Sequence, residues 1–143
     1  MQLFGEDDAR GLVVDGLPAL EELSVHGNSR TPLGALCRIS AARLRVLHLD
    51  ALRTDVDAAR ALASTALDDL RDLNIYSREL DAACVSALAA APWMPRLERL
   101  RLCGGKMLTV KDVEPVLANV GGGLRCLETP LDDAEGFGAA FAR

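Results

Sequence analysis

The feature that most constrains the fold is a hexapeptide pattern that recurs along the chain: leucine, two variable residues, leucine, one variable residue and an aliphatic residue. It occupies the five segments 20–25, 44–49, 70–75, 97–102 and 124–129, the last of which ends in threonine. Successive copies begin 24, 26, 27 and 27 residues apart. A nearly constant period of this length is typical of a protein built from stacked repeats, in which each unit buries its apolar side against its neighbours.

The segments between the later copies predict helices. They are rich in alanine, leucine and valine at helical spacing and cover residues 54–65, 80–91 and 109–120. Each opens near a polar residue whose side chain can cap the first turn, namely Thr54, Asp81 and Thr109. The segment 31–40 is shorter and predicts only a short helix. One strand and one helix for each repeat is therefore the expected unit.

Aligning the predicted helices places three small or aliphatic residues at one inward-facing position, Ala58, Cys84 and Val113. A proline inside a helix removes a backbone hydrogen bond and crowds the preceding turn. Pro115 therefore predicts that the last of these helices begins late, near Asp112, so that the proline lies in its first turn.

Composition excludes several classes of protein. Hydrophobic residues make up 50% of the chain but aromatic residues only 3%, so the core must be aliphatic. A formal net charge of -5 argues against a nucleic-acid partner, because such proteins normally carry a basic face. The four cysteines are far apart in sequence and form no CxxC motif, which argues against a disulfide framework or a zinc site.

The start of the chain and its hydropathy indicate a cytoplasmic, intracellular protein with no membrane partner. The first eight residues lack the basic start and apolar run of a signal peptide. No stretch approaches the roughly 18 apolar residues of a membrane span. Free thiols are expected in a reducing compartment of this kind.

The pattern and its period resemble the leucine-rich-repeat family, and the helical segments resemble its ribonuclease-inhibitor-like class. The resemblance covers residues 17–130. It implies an α/β solenoid with a curved parallel sheet on the concave side and helices on the convex side, formed by a single domain, 1–143, with 1–17 and 133–143 as caps. One departure concerns the turn after each strand, where the family usually has asparagine or cysteine and only Asn28 fits here.

Alternation along a strand predicts which side chains lie on the exposed face of this sheet. The aliphatic residues of each copy point inward, so the residues between them point outward and form three columns across the strands. The first column holds Glu22, Val46, Asp72, Arg99 and Cys126, the middle column Ser24, His48, Asn74, Arg101 and Glu128, and the third column His26, Asp50, Tyr76, Cys103 and Pro130.

The resemblance, together with the lack of a catalytic constellation in the sequence, implies a protein–protein interaction module, not an enzyme. A central tyrosine beside two arginines is the composition expected of a binding hot spot. The predicted partner-binding residues on the concave face are His48, Asp50, Asp72, Asn74, Tyr76, Arg99 and Arg101. No catalytic, metal-binding or cofactor-binding residue is predicted. A solvated face whose charges only keep the protein soluble is the simplest alternative.

Two further functions compete with this prediction. The first is a scaffold role as an architectural subunit of a larger assembly, which would bind through the convex helices or the ends. The second is a hydrolase-type enzyme that uses His26 and His48 beside Asp50 as a general base or metal site. No nucleophile and no third strong ligand is evident beside this group in the sequence.

Overall fold

The structure is a computed structural model that describes residues 2–4, 19–27, 43–51, 53–104 and 108–130. The described strands are β1 (Gln2–Phe4), β2 (Glu22–His26), β3 (Val46–Asp50), β4 (Asp72–Tyr76), β5 (Arg99–Cys103) and β6 (Cys126–Glu128). The described α-helices are α1 (Val56–Ala63), α2 (Ala82–Ala89) and α3 (Val110–Asn119), and a short 3-10 helix, Met94–Arg96, precedes β5. This mixed α/β content confirms the predicted class at that level.

The described strands form one parallel sheet in chain order. Each of the five hexapeptide copies contributes one strand, which begins two residues after the first leucine of the copy. Parallel neighbours need a crossover connection, and α1, α2 and α3 lie in the last three of these connections. The second leucines of the five copies pair with one another across the sheet: Leu23, Leu47, Leu73, Leu100 and Leu127.

The same backbone hydrogen bonds recur at the start of each repeat. The carbonyl oxygen of Glu21 accepts from the amides of Arg45 and Val46, at 2.7 and 3.0 Å. The carbonyl oxygens of the equivalent residues bond the next repeat in the same way, from Arg45, Arg71 and Glu98. These bonds tie each repeat to its neighbour through the main chain.

A second recurring bond closes the end of each strand. The amide of the residue after the strand donates to the last carbonyl of the next strand, at 2.9 Å for Gly27, 2.9 Å for Ala51 and 3.0 Å for Ser77. The buried hydroxyl of Ser77 also accepts from the amide of Thr54 at 3.2 Å. Such bonds satisfy main-chain groups near the turns. At most of these turns the sequence lacks the asparagine or cysteine that the resemblance had led us to expect.

The core lies between one face of the sheet and the layer of helices. Leu47, Leu73 and Leu100 on the strands are at most 1% exposed and belong to the same buried cluster as residues from all three helices. Neighbouring helices contact each other in chain order. The three residues predicted to share an inward-facing helix position, Ala58, Cys84 and Val113, are all buried, which confirms that alignment.

The helix starts confirm two predicted caps and correct one. Asp81 and Thr109 are N-caps, as predicted, but α1 is capped by Asp55 and not by Thr54. The Asp55 carboxylate accepts from the amide of Ala58 at 2.9 Å. Thr54 is fully buried, so the residue after it, which is half-buried, supplies the cap. This cap lowers the pKa of the Asp55 carboxyl, chiefly through that hydrogen bond from the helix backbone.

The prediction that Pro115 lies in a first helical turn is wrong. Helix α3 begins at Val110, because Thr109 and Asp112 form a capping box in which each side chain bonds the other residue's backbone. Pro115 therefore lies in the second turn, where it cannot donate the usual bond to the carbonyl of Lys111. The Asn119 side chain bonds the Pro115 carbonyl at 2.8 Å near the end of the helix.

Several predictions concern residues outside the described ranges: Asn28, the segment 31–40, most of the cap 1–17 and the whole cap 133–143. Of the residues predicted as the first cap, Gln2–Phe4 forms β1 and pairs with β2. In the described part of the chain, no helix combines the length and apolar character that crossing a membrane would require.

Candidate functional site

The sheet face opposite the helices, here called the exposed sheet face, carries the three predicted columns. The strand register pairs Glu22, Val46, Asp72, Arg99 and Cys126 as the first column and Ser24, His48, Asn74, Arg101 and Glu128 as the middle column. The third column runs through His26, Asp50, Tyr76 and Cys103, and Pro130 lies beyond the end of β6. The predicted columns are therefore confirmed by register up to Cys103 and Glu128.

Two adjoining depressions on this face bring all seven predicted binding residues together. The first has a volume of about 360 Å³, and the predicted residues that line it are His48, Asp72, Asn74, Arg99 and Arg101. The second has a volume of about 290 Å³, and its predicted lining residues are His48, Asp50, Asn74, Tyr76 and Arg101. His48, Asn74 and Arg101 line both, so the depressions meet along the middle column.

Cross-strand ion pairs connect the charged side chains of the face. On the side nearer β2, His26 Nδ1 lies 3.0 Å from Asp50 Oδ2. Asp72 lies between two basic side chains of neighbouring strands, with one carboxylate oxygen 4.0 Å from His48 Nε2 and the other 4.0 Å from Arg99 Nη1. Pairs of opposite charge on adjacent strands each contribute roughly 0.2–1 kcal/mol, so they order the face more than they stabilise the fold.

The shortest of these pairs joins Arg101 on β5 to Glu128 on β6. Arg101 Nε donates to Glu128 Oε2 at 2.6 Å. This hydrogen bond lowers the pKa of the Glu128 carboxyl and raises the pKa of the Arg101 guanidinium. The sequence-based site omitted Glu128 and also His26, although Glu128 lies beside Arg101 in the middle column and His26 lies beside Asp50 in the third column. An acidic and a basic side chain at neighbouring positions of one column were the signal that would have included them.

Tyr76 and Asn74 on β4 lie at the centre of the face. Tyr76 is 47% exposed and is the one large hydrophobic side chain that is exposed among the described residues. Asn74 is half-buried, between His48 and Arg101 in register. In the described part of the chain, neither the Tyr76 hydroxyl nor the Asn74 side-chain amide has a hydrogen-bond partner. Both polar groups are therefore available to solvent or to a binding partner.

The histidines considered for chemistry lie on this face, each near an aspartate of the next strand. Within the described ranges, no group of three or more histidine, cysteine, aspartate or glutamate side chains is arranged to hold a metal ion. Cys84, Cys103 and Cys126 are free thiols.

Cys84 lies in the core, away from the exposed sheet face. Its Sγ donates to the carbonyl oxygen of Thr54 at 3.4 Å. Burial raises the pKa of this thiol to about 11, so it stays protonated near neutral pH. It fills an aliphatic position of the helix layer, as the sequence predicted.

The chain matches no family model, no curated protein and no solved structure. The structure by itself defines an α/β protein with a parallel sheet in chain order and helices packed on one face of it.

Proposed function

We propose that the chain is a leucine-rich-repeat solenoid of the ribonuclease-inhibitor-like class that binds a protein partner on its exposed sheet face. In such a solenoid this face is concave and the helices lie on the convex side. The proposal is supported by one strand for each hexapeptide copy and by the backbone bonds that recur between successive repeats. Stacked repeats of this kind present a continuous surface with few loops, which suits recognition of another protein.

The observation that carries the proposal is the grouping of all seven predicted residues around Tyr76. An exposed tyrosine next to arginine side chains is the combination most enriched at the energetic centre of protein interfaces. Here Tyr76 and Arg101 line the same depression, and Arg99 lines the adjoining one. The 2.6 Å hydrogen bond between Arg101 and Glu128 orients one of the two arginines, which reduces the entropy that this side chain loses on binding.

The proposal assigns no catalytic role to His26 and His48. Each imidazole lies near an aspartate on an open, solvated surface. Both histidines are therefore members of the proposed binding surface. The three free thiols fit a cytoplasmic location, because disulfides are rare in reducing compartments. The following experiment distinguishes binding on the exposed sheet face from association through the helices, which is expected of an architectural subunit.

The test compares two triple variants for affinity to a protein first captured with the wild-type chain and then purified. The first is Tyr76→Ala with Arg99→Ala and Arg101→Ala, which removes the centre of the exposed sheet face. The second combines Asp57→Ala, Arg60→Ala and Ser86→Ala, which changes exposed residues of α1 and α2. Circular dichroism checks that both are folded.

We expect the sheet variant to bind at least about 100-fold more weakly, because a hot-spot side chain contributes about 2 kcal/mol or more. The helix variant is expected to bind like wild type. Unchanged affinity of the sheet variant, together with weak binding by the helix variant, would contradict the proposal and favour the architectural role.

A further inference from the structure

Three binding residues of the exposed sheet face lie on one diagonal. Arg99 is in the first column on β5, Asn74 in the middle column on β4, and Asp50 in the third column on β3. Each step along this line moves one strand across the sheet and one column along it. Asn74 therefore lies halfway between the arginine and the aspartate. The two depressions follow the same line, because the first contains Arg99 and Asn74 and the second contains Asn74 and Asp50.

The centre of this diagonal offers the chemistry that recognises a peptide group. A side-chain amide has a carbonyl oxygen that accepts hydrogen bonds and an NH₂ group that donates them. This pair matches the N–H and C=O of an extended backbone. The Asn74 amide is available for this role, because no other side chain or main-chain group of the described residues bonds it. Neighbouring Tyr76 adds apolar surface on the same strand.

The ends of the diagonal carry opposite charges. Arg99 has 70% of its side chain exposed and approaches the Asp72 carboxylate only to 4.0 Å. Its guanidinium therefore has donors left for a second carboxylate, which it can bind in bidentate geometry. At the other end, 48% of the Asp50 side chain is exposed, and His26 Nδ1 lies 3.0 Å from one of its two carboxylate oxygens. A carboxylate can accept further hydrogen bonds, so Asp50 can also pair with a cation of the partner.

We propose that the occupant of this diagonal is an extended peptide segment that carries an acidic and a basic residue four positions apart. From a strand spacing of about 4.8 Å and a rise of about 3.3 Å per residue, the Arg99 and Asp50 backbones are about 16 Å apart. Four residues of extended chain span about 13 Å and place both side chains on the same face, and the lengths of the paired side chains cover the remaining distance of about 3 Å. The acidic side chain of the segment pairs with Arg99, the basic one with Asp50, and a peptide group between them bonds Asn74. This inference rests on the proposed function and names the partner's chemistry.

The test selects linear random octapeptides displayed on phage against the immobilised full chain. We expect enriched peptides to carry aspartate or glutamate four positions from lysine or arginine, in either order. A synthetic copy of an enriched peptide is then measured by fluorescence anisotropy. Asn74→Ala removes the two hydrogen bonds of the side-chain amide and should weaken the affinity for this peptide about tenfold. Ser86→Ala on α2 should leave the affinity unchanged.

A charge reversal gives a second, independent readout. Arg99→Glu is expected to select peptides with basic residues at both positions, because both ends of the diagonal then carry a carboxylate. Enriched peptides without the charged pair, binding that is unaffected by Asn74→Ala, or no enrichment at all would each overturn the inference. The proposed function is judged separately, by the affinity of the sheet triple variant for the captured protein, and none of these peptide results changes that measurement.

Discussion

The substitution Leu73→Ala tests whether the leucines of the repeat form the core. Leu73 is the central residue of the leucine row, 0% exposed, and pairs with Leu47 on one side and Leu100 on the other. Truncating a fully buried leucine removes its transfer free energy and leaves a cavity, which together cost about 2–5 kcal/mol. This is a large fraction of the roughly 5–15 kcal/mol by which small domains are stable.

Urea unfolding followed by circular dichroism measures this loss. With an m-value of about 2 kcal/mol/M, a loss of about 3 kcal/mol moves the midpoint down by about 1.5 M. The matched control is Asn74→Ala on the same strand, whose side chain lies on the exposed sheet face and should change stability by no more than about 0.5 kcal/mol. A loss below about 0.5 kcal/mol for Leu73→Ala would refute the register described here.

Three further predictions concern glycine, cysteine and capping positions. Gly121→Ala should destabilise by about 1–3 kcal/mol, because its Cβ would collide with the Pro95 carbonyl oxygen, whereas Gly122→Ala meets nothing within 4 Å; equal urea midpoints would contradict this contact. In the native protein Cys84 should be the slowest of the three described thiols to react with a disulfide reagent, since burial raises its pKa to about 11; fast labelling would contradict the helix alignment. Asp55→Ala should cost about 1 kcal/mol at pH 7. Because folding lowers the pKa of this carboxyl from 3.8, the ionic part of that stability is present above about pH 4 and disappears as the pH falls through the lower folded value. Unfolding at pH 7 and pH 2 measures the change, and a difference that grows at pH 2 would count against the cap.

The strands, their order and their register could be predicted because each depends on local alternation and a constant period. Once Leu47 and Leu73 are recognised as equivalent, the pairing of the other residues of β3 and β4 follows from the two-residue periodicity of a strand. The composition of the exposed sheet face then follows too, including the central place of Tyr76. These are properties of the pattern and do not require knowledge of side-chain conformations.

The details that sequence missed depend on geometry between neighbouring segments. Thr54 and Asp55 are both good capping residues, and burial of the first decides between them. Pro115 alone favours a late helix start, but the capping box outweighs it. Ala51 adopts a left-handed backbone with φ of 56°, at the position where the later repeat has Gly104 with φ of 87°. No local rule predicts an alanine there, since the conformation disfavours every residue with a Cβ.

Carboxylate footprinting of the complex tests most directly whether the exposed sheet face is the binding surface. Carbodiimide coupling of an amine labels accessible carboxylates, and the chain offers Asp50 on the sheet and Asp57 and Glu114 on exposed positions of α1 and α3. Labelling is compared for the free chain and for its complex with the captured protein. The proposed function predicts that Asp50 loses most of its labelling in the complex while Asp57 and Glu114 keep theirs. Protection of Asp57 and Glu114 with unchanged labelling of Asp50 would contradict it.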